Sequence, residues 1–220
     1  MEMNIKFPKL NLNNIKGVLL DLDNTLYDYD YAHMKAIDAC YRKYKININA
    51  SIDFDNFYNL YRKKRNSITK RLETKGACRS RLFAFQEIFE EQDLKNNWGL
   101  ALDYEEIYWS TLIKNMILST DSLLFLQSCK KMHIDVCIVT DMTASIQIRK
   151  LQGLGISEYI KYIVTSEEVG VEKPNPKIFQ RALKKLNLEL EDVIMIGDDE
   201  NKDIIGSQNL GIKSYKVIKK

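Results

Sequence analysis

The sequence predicts an α/β protein in which a parallel β-sheet carries helices on both faces. Short apolar runs of strand length recur along the chain, and amphipathic stretches of helical length separate the later ones. A buried parallel strand is apolar on both faces, so continuous apolar runs are expected rather than alternation. Strands that alternate with helices favour a parallel sheet with right-handed connections. One long stretch after the first predicted strand lacks this alternation of strands and helices.

The predicted strands are GVLL at 17–20, DVCIV at 135–139, IKYIV at 160–164, DVIMI at 192–196 and a less apolar segment at 212–217. The predicted helices cover 120–132, 143–154, a stretch that begins at Pro176, and 200–209. Asn175 is the expected cap of the third helix, and Gly155 follows the end of the second.

The exceptional stretch, residues 28–115, contains no predicted strand. Its aromatic and charged residues recur at helical spacing, as in YAHMKAIDACYRKY and YEEIYWSTLIKNM, which is typical of a small helical bundle. We therefore predict an α/β core formed by residues 1–27 and 116–220, with a helical domain inserted at residues 28–115. Residues 26–31 and 115–120 are the expected hinges.

Composition excludes several classes of protein. The formal net charge of the 220 residues is only +3, which does not favour a nucleic-acid partner. No segment approaches the roughly 20 apolar residues of a membrane span, and the N-terminus lacks an apolar signal core. The cysteines show no CxxC spacing and are predicted to be reduced thiols of a cytoplasmic protein: Cys40, Cys78, Cys129 and Cys137. We assign no catalytic role to the two histidines, His33 and His133.

Acidic residues follow three of the predicted strands. Asp21 and Asp23 come after the first strand, Asp141 after the second, and Asp198 and Asp199 after the fourth. Ligands of open α/β sheets bind at the carboxyl ends of the strands, so these groups are expected to converge. Carboxylates crowded together repel one another unless they share a cation. Oxygen ligands of this kind suit Mg²⁺, which often accompanies substrate phosphate.

Groups that could bind a phosphate are also present. Lys173 lies in the segment VEKPNP, where two prolines stiffen the chain. The Thr140 hydroxyl and the backbone N–H groups that follow it, from Asp141 onward, can donate hydrogen bonds to an anion. Structural alternatives stay open at this point: the acids and Thr140 could be cap or turn residues, and Lys173 and Asp203 could be solvated.

These segments together resemble the haloacid-dehalogenase superfamily. Asp21-Leu22-Asp23-Asn24-Thr25 is similar to its DxDxT signature. Thr140, Lys173 and Gly197-Asp198-Asp199 with Asp203 resemble the second, third and fourth motifs, in the same order along the chain. The resemblance implies a Rossmann-like core, and the insertion is similar to the helical cap of the phosphoglycolate-phosphatase-like subfamily.

The resemblance also implies roles. Asp21 would be the nucleophile that forms an aspartyl-phosphate, and Asp23 the general acid and base. Asp21, the backbone carbonyl of Asp23, and Asp198 would bind Mg²⁺. Thr140, Asp141 and Lys173 would hold the phosphoryl group. Asp203 would orient Lys173 or a metal-bound water, and Asp199 has no settled role because many relatives carry serine there.

Within the family, Asp23 argues against a dehalogenase, since a halide leaving group needs no acid. We predict a Mg²⁺-dependent phosphatase acting on a small phosphorylated metabolite, either a sugar phosphate or a nucleotide. The alternatives are a sugar phosphomutase and a non-catalytic module that binds phosphate or a partner. In the cap, Arg79 and Arg81 of KGACRSRLFAF are candidate specificity residues or a solvated arginine pair. The oligomeric state is left open.

Overall fold

A computed structural model describes residues 5–73 and 75–219 of the chain. Its strands form two sheets. The small sheet pairs β1 (Ile5–Lys6) with β7 (Ile218–Lys219) in antiparallel fashion. The large sheet has the strand order β4-β3-β2-β5-β6, and every neighbouring pair is parallel. Its strands are β2 (Gly17–Leu20), β3 (Asp135–Thr140), β4 (Tyr162–Thr165), β5 (Val193–Gly197) and β6 (Lys213–Lys216). The predicted α/β class is confirmed.

The helices fall into two groups. Four lie between β2 and β3: α1 (Tyr29–Asn47), α2 (Phe54–Leu72), α3 (Arg81–Glu91) and α4 (Asn97–Lys114). The others connect the later strands: α5 (Thr120–Lys131), α6 (Ala144–Gly153), α7 (Ser166–Val169), α8 (Pro176–Leu186) and α9 (Gly206–Gln208). Short 3₁₀ turns cover Gly76–Arg79, Ser157–Tyr159 and Leu190–Asp192, and a π-helical turn covers Glu200–Ile205.

The described chain separates into two compact units. One is the chain up to Tyr29 together with the chain from Met116 onward, and the other is Asp30–Asn115. These limits lie close to the boundaries expected from the sequence at residues 28 and 115. No helix in the described ranges is both long enough and apolar enough to cross a membrane.

The core of the α/β unit lies where α8 packs on the sheet. Asn175 caps α8 by accepting a hydrogen bond from the Lys177 N–H, and Pro176 is its first residue, as predicted. The apolar face of the helix packs against strand residues that alternate onto the same side of the sheet. This cluster includes Ile178, Phe179, Ala182 and Leu186 of α8 with Leu19, Cys137, Val139 and Met195 of the strands.

The core of the helical unit is aromatic, as its sequence spacing predicts. Tyr44 lies 5.1 Å from Phe57 between ring centroids, and Phe89 lies 4.8 Å from Tyr104. His33 is mostly buried beside Tyr108, with 2.6 Å between Nδ1 and the phenol oxygen. Burial lowers the pKa of His33 to about 3, so this histidine is neutral in the folded protein.

Some elements differ from the sequence prediction. The strand expected at 160–164 begins at Tyr162, because the N–H of Ile160 bonds to the Ser157 carbonyl and closes the 3₁₀ turn Ser157–Tyr159. The helix expected at 200–209 begins as a π-helical turn, in which the N–H groups of Asp203 and Ile204 both bond to the Asp199 carbonyl. The four cysteines are buried, and none of them forms a disulfide bond.

Candidate active site

The turn after β2 presents Asp21 at the carboxyl edge of the sheet. The Asp21 N–H donates to the Ile196 carbonyl of β5, which continues the parallel pairing beyond Leu20. Asn24 adopts a φ of 62°, in the left-handed region that asparagine tolerates. The N–H of Leu26 then bonds to the Leu22 carbonyl at 3.0 Å. This tight turn brings Thr25 back toward Asp21.

Both carboxylate oxygens of Asp21 are held by the protein. Lys173 Nζ lies 2.6 Å from Oδ1, and the Thr25 hydroxyl donates to Oδ2 at 2.8 Å. The side chain is only 8% exposed. Burial raises the pKa of Asp21 to about 7, against the opposing effect of the Lys173 charge. Asp21 is therefore fixed in orientation at the edge of the sheet.

Lys173 joins two of the acids. Its ammonium also lies 2.7 Å from Asp203 Oδ1 and 3.0 Å from the Val139 carbonyl. Burial disfavours its charge, but Asp203 and Asp21 outweigh burial and raise the pKa of Lys173 well above its ordinary value. Lys173 is buried rather than solvated, and so is Asp203, whose pKa burial raises.

The π-helical turn after β5 places the remaining acids. Asp199 caps this turn by accepting hydrogen bonds from the N–H groups of Asn201 and Lys202. Asp203 Oδ2 accepts from the Asp199 N–H at 3.1 Å. Gly197 allows this approach, since a Cβ there would lie 2.2 Å from Asp203 Oδ2. Asp199 is thus a helix cap, whereas Asp203 reaches Lys173.

The acids around Asp21 fit a divalent cation. One carboxylate oxygen from each of Asp21, Asp198 and Asp203 lies within 4.8 Å of the others. Burial and the charge of Asp21 raise the pKa of Asp198 to about 6. With all groups ionised, three carboxylates and the Lys173 ammonium leave two negative charges. Asp21, Asp198 and Asp203 are therefore the candidate oxygen donors for a cation such as Mg²⁺.

Asp23 has a separate set of partners. Lys150 Nζ lies 2.9 Å from Oδ1 and 2.7 Å from Oδ2, and the Tyr27 hydroxyl donates to Oδ1 at 2.5 Å. Burial by itself would raise the pKa of Asp23, but the Lys150 charge together with the hydrogen bonds from Lys150, Tyr27 and Gln147 outweighs burial and lowers the pKa. The two acids of the first motif are thus paired with different lysines, Asp21 with Lys173 and Asp23 with Lys150.

Thr140 ends β3 and Asp141 directly follows it, beside these groups. The Thr140 hydroxyl is buried and accepts a hydrogen bond from Gln147 Nε2 at 2.5 Å. The Asp141 carboxylate accepts from the Lys173 N–H at 2.8 Å and from Lys202 Nζ at 2.7 Å. Its side chain therefore holds the Lys173 loop. Neither residue caps α6, whose N-cap is Thr143.

The two candidate cap residues lie in the helical unit. Arg79 ends the 3₁₀ turn, and its carbonyl accepts a hydrogen bond from Arg81 Nη1 at 2.6 Å. Arg81 is buried, with its guanidinium 5.2 Å from the Tyr108 ring centroid and 5.3 Å from that of Trp109. Arg81 is therefore not part of a solvated arginine pair.

Sequence reasoning missed Thr25, Gln147 and Lys150. Thr25 is the last residue of the DxDxT signature, so the sequence did contain a pattern that pointed to it. Gln147 and Lys150 share the i, i+3, i+4, i+7 spacing of a helical stripe with Leu151 and Leu154. That stripe faces the protein interior, since Gln147, Lys150 and Leu151 are all buried. Polar residues at core-facing positions of α6 were the available signal.

Comparisons with known proteins identify the family of this chain. The family description haloacid dehalogenase-like hydrolase matches residues 15–211. The ribulose-1,5-bisphosphate 5-phosphatase of Halopiger xanaduensis is 30% identical over 198 residues, covering 90% of this chain and 82% of that protein. The glyceraldehyde 3-phosphate phosphatase of Methanocaldococcus jannaschii is 27% identical over 208 residues, covering 93% of this chain and 86% of that protein.

A solved structure extends the likeness to the fold. A Bacillus subtilis HAD-hydrolase bound to magnesium superposes with a TM-score of 0.67 at 20% identity, covering 91% of this chain and 87% of that chain. The resemblance that the motifs indicated is thus confirmed along nearly the whole sequence. The chain belongs to the haloacid dehalogenase-like hydrolase family.

Proposed function

We propose that this hydrolase is a phosphatase that cleaves a small-molecule phosphomonoester through an aspartyl-phosphate on Asp21. The observation that carries the proposal is the pairing of the two acids with different lysines. Asp21 lies with Lys173, Asp198 and Asp203 in a cluster suited to a phosphoryl group and a cation. Asp23 contacts Lys150 and Tyr27 instead of that cluster. A residue that carries a proton next to the nucleophile needs partners of its own in this way.

In the first step, a carboxylate oxygen of Asp21 attacks phosphorus and the bond between phosphorus and the ester oxygen breaks. Asp23 gives its proton to the departing alkoxide, which leaves as an alcohol. The contacts of Asp21 with Lys173 and Thr25 hold the attacking carboxylate in one orientation. Asp23 must be protonated at this stage, so the oxygen that carries the proton gives up its contact with Lys150 while the other oxygen keeps its contact.

In the second step, water attacks the phosphorus of the aspartyl-phosphate. Asp23 takes the proton from that water, Asp21 is released as a carboxylate, and inorganic phosphate departs. The ion pair with Lys150 favours the carboxylate form of Asp23, which is the form that accepts the proton. The same residue thus serves both steps in opposite protonation states.

The transferring phosphoryl group needs neutralisation of its charge. We assign this to Lys173, to the Thr140 hydroxyl and to the backbone N–H of Asp141. Asp21, the backbone carbonyl of Asp23, and Asp198 would hold Mg²⁺, which supplies further positive charge at the phosphoryl oxygens. Asp203 supports Lys173 through the contact at 2.7 Å.

We propose a sugar phosphate as the substrate class. The Halopiger relative is named for a sugar bisphosphate and the Methanocaldococcus relative for a triose phosphate. Both are phosphomonoesters of small polyols or their carbonyl derivatives, whose alkoxide leaving groups need the proton that Asp23 would supply.

A panel of phosphorylated metabolites tests the proposal, with released inorganic phosphate as the readout. The panel contains ribulose 1,5-bisphosphate, glyceraldehyde 3-phosphate, hexose phosphates and nucleoside monophosphates, each with Mg²⁺ and with EDTA. We expect Mg²⁺-dependent release of phosphate, highest with a sugar phosphate. Interconversion of hexose phosphates without release would identify a phosphomutase, and no turnover of any compound by folded protein would exclude the phosphatase.

A further inference from the structure

Lys150 is a buried lysine whose ammonium contacts the carboxylate of Asp23. Its side chain is 0% exposed, and Nζ lies within 2.9 Å of both oxygens of Asp23. The ring centroid of Tyr29 lies 5.2 Å from the same ammonium. A carboxylate bound through both oxygens cannot rotate freely about its terminal bond, so Lys150 restricts Asp23 to one orientation.

Gln147, one turn earlier on α6, links Asp23 to Thr140. Its Nε2 atom lies 2.5 Å from Thr140 Oγ1 and 3.4 Å from Asp23 Oδ2. An amide nitrogen can only donate, so the Thr140 oxygen is the acceptor and its hydroxyl proton is directed elsewhere. Thr140 can then donate that proton to a phosphoryl oxygen.

The orientation of the Gln147 amide leaves one of its polar atoms without a hydrogen bond. Among the described residues, Gln147 Oε1 is buried and has no hydrogen-bond partner. The reversed amide would instead place that oxygen against the carboxylate of Asp23, where like partial charges repel. An unpaired buried acceptor destabilises the fold, so the arrangement is not one that stability alone favours.

Stability does not explain Lys150 either. Removing an ammonium from water is costly, and a buried ion pair is often no more stable than apolar residues of similar volume. Positions 147, 150 and 151 lie on one face of α6, and Leu151 shows that this face accepts an apolar side chain. The polar residues Gln147 and Lys150 at these positions therefore indicate a role at Asp23 and Thr140.

We propose that Gln147 and Lys150 are positioning residues for the reaction. Lys150 fixes the carboxylate of Asp23 beside the departing alcohol, and Gln147 directs the hydroxyl proton of Thr140 toward the phosphoryl group. This inference rests on the proposed function, because it takes Asp23 to be the proton carrier. It makes one face of α6 a support for both the acid/base residue and the phosphate-binding residue.

The kinetic test compares two leaving groups. p-Nitrophenolate leaves with little need of a proton, whereas an alkyl alkoxide such as that of glycerol phosphate needs one. Lys150→Met is expected to lower kcat/KM, which reports the steps up to departure of the leaving group, by roughly 100-fold for the alkyl phosphate. For p-nitrophenyl phosphate we expect kcat/KM to fall by a much smaller factor. Gln147→Met is expected to raise KM for both substrates by about 10-fold, because a hydrogen bond to the phosphoryl group is lost.

The matched control is Lys161→Met, which removes an exposed ion pair with Asp135 and is expected to leave both rates unchanged. Equal losses for the two substrates in Lys150→Met would mean that Lys150 only supports the fold, and would overturn the proposal. If Lys150→Met does not fold, Lys150→Arg keeps a cation but displaces it, and the same dependence on the leaving group is expected.

Crystal structures of the variants give a readout that does not need turnover. Asp23 is expected to take a different side-chain rotamer in Lys150→Met and to keep the native one in Lys161→Met. A native orientation of Asp23 without Lys150 would refute the positioning role. If the wild-type protein hydrolyses neither phosphate ester, the proposed function fails, and the crystal structures still decide whether Lys150 positions Asp23.

Discussion

Lys173 Nζ lies 2.6 Å from Asp21 Oδ1, and this contact joins two residues that are 152 positions apart in the sequence. The lysine also contacts Asp203 at 2.7 Å, so one buried ammonium serves two buried carboxylates. In the proposed reaction Lys173 would stabilise charge on the phosphoryl group. In the protein without substrate, the positive charge of Lys173 already compensates the negative charges of Asp21 and Asp203, which burial makes unfavourable.

Replacing Lys173 by methionine is expected to destabilise the fold as well as to abolish turnover. The change leaves Asp21 and Asp203 buried without their shared cation, and breaking a buried pair in this way costs about 3 kcal/mol. Urea denaturation at neutral pH measures the free energy of unfolding. The control is Lys130→Met, which loses an exposed contact with Glu158, and equal midpoints for the two variants would contradict the argument.

Replacing Asp21 by asparagine is expected to abolish turnover with the fold intact. Asparagine keeps the shape of the side chain, and burial already raises the pKa of Asp21 to about 7, so a neutral group is well tolerated there. Lys173 retains Asp203 as a partner. Phosphate release and the melting temperature are measured together, with the surface variant Asp135→Asn as control. Activity close to wild type would exclude Asp21 as the nucleophile.

The central strands β2, β3 and β5 of the large sheet were predictable because they are almost entirely buried, and a parallel strand covered on both sides must be apolar throughout. The edge strands β4 and β6 also overlap predicted runs, although β6 is polar and contains no buried residue. The two-residue strands β1 and β7 were not predicted, because segments this short carry no periodic signal and pair only through the tertiary fold. The four-residue helix α7 was missed for the same reason.

The acids at the strand ends were predictable from topology alone, and Lys173 from its place in the third motif. Lys150 and Gln147 were not, because a lysine or glutamine in an amphipathic helix is normally solvated. Only the position of Asp23 in the folded chain makes their burial favourable. Asp199 and Asp203 likewise differ only through the π-helical turn, which makes one a cap and brings the other to Lys173.

Replacing Gly197 by alanine is expected to impair the site through Asp203. The new Cβ would lie 2.2 Å from Asp203 Oδ2 and 2.4 Å from its Cγ, so the carboxylate would have to move. Lys173 would then lose the contact that supports it beside Asp21. We expect a lower kcat and a lower melting temperature than in the wild-type protein. A variant indistinguishable from wild type in both would show that the Asp203 contact is dispensable.

The stability of the metal-free protein is expected to fall as pH rises. The pKa of Asp198 is raised to about 6 and that of Asp21 to about 7, from an ordinary value of 3.8. Between the ordinary and the raised pKa values, the two folded carboxyl groups hold protons that the unfolded chain has lost. Buried His33, whose pKa is lowered to about 3, has the opposite effect, but it is one group against two, so the free energy of unfolding decreases with pH. The raised pKa of Asp203 acts in the same direction.

Mg²⁺ is expected to reverse this loss. Binding needs both carboxylates ionised, so a saturating Mg²⁺ concentration should raise the melting temperature at about pH 8 and change it little at about pH 5. Melting curves with MgCl₂ and with EDTA across this range measure both effects. Asp198→Asn is the matched variant, in which the Mg²⁺ effect should disappear and the slope with pH should become shallower. A Mg²⁺ effect of equal size at both ends of the range would contradict binding at Asp21 and Asp198, because a site made of these two acids must compete with protons.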